Sequence, residues 1–463
     1  MRQLLIYTLV IIGASAQFSC KKDLNALPNQ AKVEGNVIVD QKSAEVALNG
    51  AYYRFAQGGD DRGTQSTQWS FDHEIIPTWA AGYLDYPYGG GDLTDNNLTS
   101  QSFEALGIWT QNYLLVNAAN GVLKGVAALP DSKISAARKK EILAEARFLR
   151  AYGHYKLLSF YGQYYDVNSK YGALLRKDFV TSENINQSRT TVKESYDFIL
   201  ADVDDAIVNA PASNKNWYAT TWAAKALKAR ILINRGATGD YAQVITLTQD
   251  IIQNSPYQLE TNLQDIFSNK ALNSKEIILG IQPLPNQVFK SDTYFYYGPG
   301  YIPTDALTVL LDTDPRKNWV LGDVSGSLGI TKYQGPQIEV SYAFRLTEMY
   351  LLQSEAIVRS GGSISNAKVL LKTVMTHAGV ADFSAVDNAA TNDQLLLEIY
   401  KETVRNMLCE DGQDWFALLR LPFDTVKAIR PSITSKNQFI FPIPHNEFIK
   451  NNAVGDQNPG YDQ

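Results

Sequence analysis

Long stretches of the chain repeat their apolar side chains every three or four residues, which is the spacing of one helix face. The clearest stretch is residues 138–162, where Phe148, Ala151 and Tyr155 lie three and then four positions apart. Gly153 lies in the middle of this stretch, where a missing side chain lets a second helix approach closely. We predict a core helix here.

The same periodicity predicts further helices whose ends carry capping residues, glycine or proline. They span residues 43–57, 103–129, 191–210, 220–235, 240–253, 345–359, 366–377 and 394–419. The first of them is expected to begin with Ser43 as its N-cap. Residues 276–281 are strand-like.

Two units of this pattern, residues 220–253 and 345–377, each read as a helix, a glycine turn and a second helix. Such units are typical of tetratricopeptide-type pairs, which stack because one pair cannot bury its own apolar face. The predicted fold class is therefore mainly α, a tetratricopeptide-like helical repeat scaffold with long irregular loops and little β-structure.

Residues 58–102 and 259–340 lack this helical pattern and carry many aromatic residues. The first stretch is also rich in Gly, Asp, Asn and Thr. A loop of this length in a compact protein is usually either functional or disordered. Its aromatic content argues against disorder, so we expect it to be functional.

The N-terminus predicts export. Arg2 precedes an apolar run at residues 4–16, which is too short to span a bilayer but suits a signal peptide. Residues 14–16, Ala-Ser-Ala, would allow ordinary secretion. Cys20, which follows Ser19, would instead carry the lipid of a bacterial lipoprotein. We favour the lipoprotein, because Cys20 is otherwise unexplained in a chain with 2 cysteines.

This interpretation makes residues 1–19 a signal peptide and residues 20–35 a lipidated tether. The second cysteine, Cys409, falls in a helical pattern and is expected to be a buried structural thiol. A net charge of -6 without basic runs argues against nucleic acid as a partner.

Five ordered segments carry a family resemblance. They read AEVALNGAY at 44–52, WTQNYLLVNAANGVL at 109–123, AEARFLRAYGHYKLLSFYG at 144–162, YAFRLTEMYLLQSEAIVRSGG at 342–362, and PIPHNEFIKNN at 442–452 with QNPGY at 457–461. In these segments the chain resembles the SusD/RagB family of outer-membrane lipoproteins. The family's Glu-Gly-x-Arg-Trp-Phe-Asp-Leu-type segment corresponds to residues 410–418, which lack its arginine and later aspartate. This departure leaves a local ion pair open.

The resemblance implies one SusD-like domain over residues 36–463, with an N-terminal half at 36–256 and a C-terminal half at 257–463. It also implies a surface-exposed, lipid-anchored protein of the outer membrane that partners a SusC-like TonB-dependent transporter. The implied ligand is an oligosaccharide or, in some members, a peptide. No enzymatic activity and no cofactor are implied.

Ligand contacts in the family come from the two regions that correspond to residues 58–102 and 259–340. An aromatic ring stacks on the apolar face of a sugar while carboxylates bond its hydroxyl groups. The candidate ligand-binding residues are Trp69, Asp72, Trp79, Tyr83, Tyr86, Tyr88, Tyr294, Tyr296 and Trp319. Core packing is the competing interpretation for each ring. Glycine and proline around Trp79, Tyr83 and Tyr86 favour a surface position for these three.

Three other functions stay open. The same uptake machinery could serve a peptide or another nutrient, the chain could be a glycoside hydrolase, or it could be a repeat scaffold without a ligand site. The 48 acidic residues provide chance carboxylate pairs for hydrolysis. The 4 histidines have no metal-ligand spacing, and we expect neither a metal site nor catalytic residues.

Overall fold

The computed structural model describes residues 37–58, 66–89 and 91–463. The predicted signal peptide, the tether and Cys20 lie outside the described residues. Within them the protein is mostly helical, with 54% helix and 6% strand, which confirms the predicted fold class.

The helices are α1 (Gln41–Phe55), α2 (Ile76–Ala80), α3 (Phe103–Ala127), α4 (Ala136–Tyr161), α5 (Val192–Asn209), α6 (Thr221–Arg235), α7 (Asp240–Asn254), α8 (Phe289–Phe295), α9 (Asp305–Leu310), α10 (Lys317–Val320), α11 (Leu346–Arg359), α12 (Ile364–His377), α13 (Ser384–Asn388), α14 (Asn392–Met407), α15 (Gln413–Leu419), α16 (Phe423–Ile429) and α17 (His445–Lys450). Single π-helical turns occur at Phe71–Ile75 and Ile266–Lys270, and 3₁₀ turns at Ala271–Asn273 and Lys436–Phe439. The strands are β1 (Leu84–Asp85), β2 (Ile277–Ile281), β3 (Ile302–Pro303), β4 (Leu321–Val324), β5 (Ser327–Ile330) and β6 (Ser341–Arg345). They form three two-stranded antiparallel sheets, β1 with β3, β2 with β6 and β4 with β5.

The helices stack in sequence. Helices α3 to α7 pack each on the next along the chain, and α7 packs on α11, which packs in turn on α12 and α14. The predicted pairs are present as α6 with α7 and α11 with α12. Left-handed glycines make the turns, Gly236 (φ 60°) and Gly239 (φ 86°) in the first pair and Gly361 (φ 73°) in the second. Apolar side chains from α1 to the C-terminal tail belong to one core. The division into two halves stays a prediction.

Helix α4 is the core helix that the sequence predicts. Every residue from Phe148 to Tyr161 except Arg150 is buried, so this part of the helix has almost no solvent face. A Cβ atom at Gly153 would lie 2.8 Å from Val116 Cγ2 and 3.2 Å from the carbonyl oxygen of Asn112. The predicted close approach of a second helix is thus made by α3.

The sequence misplaced one helix start. Helix α1 begins at Gln41, and Asp40 is its N-cap. The Asp40 carboxylate accepts a hydrogen bond from the Ser43 backbone N–H, and the Ser43 hydroxyl binds back to the backbone N–H of Asp40. The predicted N-cap Ser43 is therefore the third helical residue of a reciprocal capping box.

The single helix predicted at 394–419 is also wrong. The chain leaves the helix after Met407 and turns through left-handed backbone at Cys409 (φ 56°), Asp411 (φ 49°) and Gly412 (φ 73°) before α15 begins. We call residues 408–412 the inner turn. It directs the carboxylates of Glu410 and Asp411 into the core, where both side chains are only 1% exposed.

The inner turn is held by buried cations. Glu410 Oε2 lies 2.6 Å from Arg345 Nε, and its other oxygen pairs with Lys332. The Asp411 carboxylate pairs with Lys156 Nζ at 2.6 Å and with the Arg230 guanidinium. Burial opposes ionisation of Asp411, but the Lys156 and Arg230 charges hold the pKa of its carboxyl well below its usual range. Cys409 lies buried in the same turn as a free thiol, as predicted.

Candidate ligand-binding site

The first irregular stretch is partly a buried helical segment rather than a loop. The π turn at Phe71–Ile75 leads directly into α2, and every residue from Asp72 to Leu84 is buried. Polar residues inside it find distant partners. His73 Nδ1 lies 2.8 Å from Asp411 Oδ1, and Glu74 Oε1 lies 2.8 Å from Lys290 Nζ. These partners allow a Gly- and Asp-rich sequence to enter the core.

This burial corrects five of the predicted ligand contacts. The exposed fractions are 1% for Trp69, 5% for Asp72, 4% for Trp79, 4% for Tyr83 and 3% for Tyr294. A ring with so little exposed surface cannot stack on a ligand, so the competing interpretation of core packing holds for these aromatics. Glycine and proline near Trp79 and Tyr83 did not signal a surface position.

Each buried ring has its own internal contacts. Trp69 stacks on the His73 ring with centroids 3.8 Å apart. The Tyr83 hydroxyl lies 2.5 Å from the Tyr400 hydroxyl, and the Tyr294 hydroxyl donates to Glu74 Oε2 at 3.0 Å. Burial lowers the pKa of His73 to about 4, so its ring is neutral at physiological pH.

A short strand pair brings the two predicted regions together. Strands β1 and β3 are antiparallel, with Leu84 opposite Pro303 and Asp85 opposite Ile302. The backbone N–H of Thr304 donates to the carbonyl oxygen of Tyr83 at 3.1 Å, which extends the pairing. As a result, the residue after β1 and the residue before β3 become neighbours. Both are tyrosines.

These two tyrosines lie in a group of rings at the surface. We define the aromatic platform as Phe71, Tyr86, Tyr88, Phe103 and Tyr301. Tyr301 lies at its centre, with ring centroids 5.9 Å from Tyr86 and 6.5 Å from Phe71. Tyr88 lies 5.4 Å from Tyr86, and Phe103 lies 5.7 Å from Phe71. Tyr86, Tyr88 and Phe103 are 39%, 85% and 54% exposed.

Trp79 forms the floor of the platform. Its ring centroid lies 5.5 Å from that of Tyr301 and 6.2 Å from that of Tyr86. Its indole Nε1–H donates to Thr94 Oγ1 at 3.0 Å, and the Thr94 hydroxyl donates to Asp85 Oδ1 at 2.7 Å. The predicted residue Trp79 is thus a buried support beneath Tyr86 and Tyr301.

The loop after β1 closes tightly over this floor. A Cβ atom at Gly91 would lie 2.5 Å from Trp79 Cζ2, and Gly91 has a φ of 107°, so only glycine fits here. The Arg430 side chain hydrogen-bonds the same loop from its buried side. Its Nη2 donates to the carbonyl oxygen of Leu93 at 2.9 Å, and its Nε donates to that of Ala80 at 3.3 Å. The platform therefore rests on an ordered support.

Two family comparisons match separate parts of the chain. The family described as "Starch-binding associating with outer membrane" matches residues 87–233. The family described as "SusD family" matches residues 329–428. The chain belongs to the SusD/RagB family.

Individual relatives agree with this assignment. A SusD-like protein of Bacteroides ovatus is 28% identical over 187 residues, which cover 39% of this chain and 33% of that protein. The match thus spans about a third of the length of this curated relative. A SusD superfamily crystal structure from Bacteroides thetaiotaomicron has a TM-score of 0.74 at 19% identity and covers 91% of this chain and 100% of its own. A laminarin-binding SusD-like protein has a TM-score of 0.69 at 17% identity, with coverage of 91% and 100%. These two structures establish a SusD fold.

Two further predicted residues of this SusD-family chain lie outside the platform. Tyr296 is 61% exposed and pairs with Tyr297, their centroids 4.1 Å apart, on the turn between α8 and β3. Trp319 is half-buried and stacks on Phe267 at 5.7 Å. Neither has a ring contact with the platform among the described residues.

Three platform rings were missed as candidates. Phe71 lies inside the first irregular stretch, Phe103 directly follows it, and Tyr301 follows Tyr296 in the second. The one local signal for Tyr301 is its place next to Ile302 and Pro303, because a proline in a strand indicates an edge. The pairing of β3 with β1 joins residues more than 200 positions apart, and no local pattern encodes it.

The described residues also bear on a metal site, a membrane-spanning helix and a second cavity. They contain no group of three or more His, Cys, Asp or Glu side chains placed to hold a metal ion. No helix among them is long and apolar enough to cross a membrane. A cavity of about 500 Å³ lies between α7, α11 and α12, and its lining carries neither charged nor aromatic side chains.

Proposed function

We propose that this SusD-family protein binds oligosaccharides on the aromatic platform, without catalysing their cleavage. The observation that carries the proposal is a set of surface rings packed on the buried Trp79. Aromatic faces are suited to the apolar faces of sugar rings. The laminarin-binding relative with the same fold supports a saccharide as the ligand class.

We further propose the cellular setting that the sequence suggests. Cys20 carries a lipid, the protein sits on the outer surface of the outer membrane, and it delivers its ligand to a SusC-like TonB-dependent transporter. The matched family description, association with the outer membrane, supports this setting. Incorporation of a labelled fatty acid by the wild-type chain and not by Cys20→Ala would test the anchor. Equal labelling of both chains would contradict it.

The ligand proposal is tested by binding. A panel of polysaccharides and peptides is titrated against the protein in a calorimeter, followed by the variant Tyr86→Ala/Tyr301→Ala. Each stacking ring contributes about 1 kcal/mol, so we expect the double variant to bind its glycan about 10- to 100-fold more weakly. The matched control is Trp217→Ala, which removes a half-buried ring from a loop that contributes no ring to the platform.

The same panel separates the other functions. Binding of peptides alone would replace the oligosaccharide with a peptide ligand. Release of products from a bound glycan would make the protein a hydrolase. Unchanged binding in Tyr86→Ala/Tyr301→Ala would contradict the platform as the site, and no binding in the entire panel would favour a scaffold.

A further inference from the structure

The two chain segments that carry the platform have a one-sided charge composition. Residues 66–123 contain 6 Asp or Glu residues and no Lys or Arg. Residues 291–315 contain 4 acidic residues and again no Lys or Arg. Three of these acids pair with cations just outside the two segments, Glu74 with Lys290, Asp312 with Lys317 and Asp314 with Arg316, so the acids that bear on the site are those beside the exposed rings.

Several of these carboxylates lie next to the exposed rings. Asp85 directly precedes Tyr86 and accepts a hydrogen bond from its backbone N–H at 2.9 Å. Asp92 accepts a hydrogen bond from the Ser102 hydroxyl, which belongs to the residue before Phe103. On the opposite segment, Asp305 is exposed just after β3.

Two more carboxylates extend the negative charge. Asp95 is exposed on the loop over the platform floor. Glu104 directly follows Phe103, and burial together with repulsion from Asp92 raises the pKa of its carboxyl. The negative charge of Asp92 therefore acts on the Glu104 carboxyl at the edge of the platform.

Two cations of the described residues lie beneath the platform and are engaged there. Arg430 donates to the carbonyl oxygens of Ala80 and Leu93, and Lys290 is buried against Glu74. Among the described residues, no direct ion pair reaches the carboxylates of Asp85, Asp92, Asp95, Asp305 or Glu104, although the Arg430 charge attracts those of Asp95 and Asp85. One guanidinium offsets only part of the charge of these five carboxylates. The surface therefore presents rings and hydrogen-bond acceptors within a negative field.

We infer that the ligand of the platform is a neutral glycan, and that the carboxylates around the rings exclude glycans bearing uronate or sulfate groups. This inference rests on the proposed function. Neutral sugar hydroxyls donate to the carboxylate oxygens. An anionic sugar would bring like charges together, and each such pair at about 10 Å in water weakens binding about twofold.

The test compares each neutral polysaccharide of the panel with its acidic counterpart: glucan with glucuronan, mannan with mannuronan, and galactan with galacturonan. Titrations are run at 10 mM and 500 mM salt. At low salt we expect a neutral chain to bind at least about tenfold more tightly than its acidic counterpart. High salt should narrow this ratio to about threefold, because salt screens the repulsion.

A charge variant separates repulsion from poor fit. Asp95→Asn/Asp305→Asn removes two exposed charges, and neither side chain makes a hydrogen bond within the described part of the chain. We expect this variant to bind acidic chains about threefold more tightly at low salt and neutral chains with less than about a twofold change, because each asparagine Oδ1 still accepts a hydrogen bond from a sugar hydroxyl. The control Asp131→Asn/Glu183→Gln removes two exposed charges near the opposite end of α3, about 30 Å away, and should change neither.

Each outcome decides between the two claims. If an acidic glycan binds as tightly as its neutral counterpart at low salt, or more tightly, the inference is overturned and the proposed function stands. The inference is also overturned, and the proposed function stands, if the ratio of neutral to acidic affinity changes neither with salt nor in the Asp95→Asn/Asp305→Asn variant. If no polysaccharide binds at all, both the proposed function and the inference are overturned.

Discussion

Two aromatic regions lie within twenty residues of each other and differ in how their polar neighbours are used. Around Trp69 and His73, carboxylates and cations from distant helices meet in the core, and the rings are covered. Around Tyr86 and Tyr88, the carboxylates form no direct ion pair among the described residues, Arg430 attracts only those of Asp85 and Asp95, and the rings are exposed. Aromatic content alone therefore does not identify a binding surface. The platform differs from the buried region because the carboxylates beside its rings do not form direct ion pairs inside the protein.

The largest loss of stability should come from removing a carboxylate of the buried region. Asp411→Ala would leave Lys156 buried without a carboxylate and Arg230 with Glu348 alone, and we expect it to lower the free energy of unfolding by about 4 kcal/mol. Denaturant unfolding followed by circular dichroism measures this. The control Lys193→Ala breaks an exposed pair with Asp197, for which we expect less than about 1 kcal/mol. Equal losses in the two variants would contradict the assigned importance of the inner turn.

The next effect lies at the boundary between the regions. Trp79 is buried but supports exposed rings, so Trp79→Ala should both lower the free energy of unfolding by about 3 kcal/mol and weaken glycan binding. Trp79→Phe keeps most of the ring and loses the bond to Thr94, so it should have smaller effects on both. Loss of stability with unchanged binding would show that Tyr86 and Tyr301 do not depend on this floor.

A smaller effect is a pH dependence of the free energy of unfolding that comes from the buried region and not from the platform. Burial raises the pKa of Glu145 from 4.5 to about 7, although Tyr52 and Arg138 oppose the shift. A carboxyl whose pKa is higher in the folded protein stabilises the fold fully below its unfolded value and loses that contribution as the pH rises to the folded value. We therefore expect Glu145 to reduce the free energy of unfolding by about 2 kcal/mol between pH 4.5 and pH 7.

The measurement is the difference in unfolding free energy between the wild type and Glu145→Gln at several pH values. This difference isolates Glu145 from His73, whose lowered pKa produces the opposite slope. The difference should change between pH 4.5 and pH 7 and be flat above about pH 8. Glycan binding should be the same in both proteins, because Glu145 contacts α1 and not the platform. A flat difference over the whole range would refute the assigned pKa.

Most of the scaffold could be predicted from the sequence, because helices such as α4 carry their own periodicity and turns such as Gly236 carry their own glycine. The site could be predicted only as two regions. Burial of Trp69 and Trp79 depends on partners outside the local sequence, such as Tyr152 for Trp69 and Tyr301 for Trp79. The neighbourhood of Tyr86 and Tyr301 depends on a strand pair two residues long, which is too short to leave a pattern.

The inner turn also has a consequence for how the chain reaches its native state. Asp411 lies 259 residues after Tyr152, to whose hydroxyl it binds, and 181 residues after Arg230. Until this late segment is in place, Lys156 on α4 lacks its carboxylate partner and Arg230 on α6 can pair only with Glu348. The first half of the chain therefore gains its full stability only when the second half docks, and the contacts that complete the core are among the slowest to form.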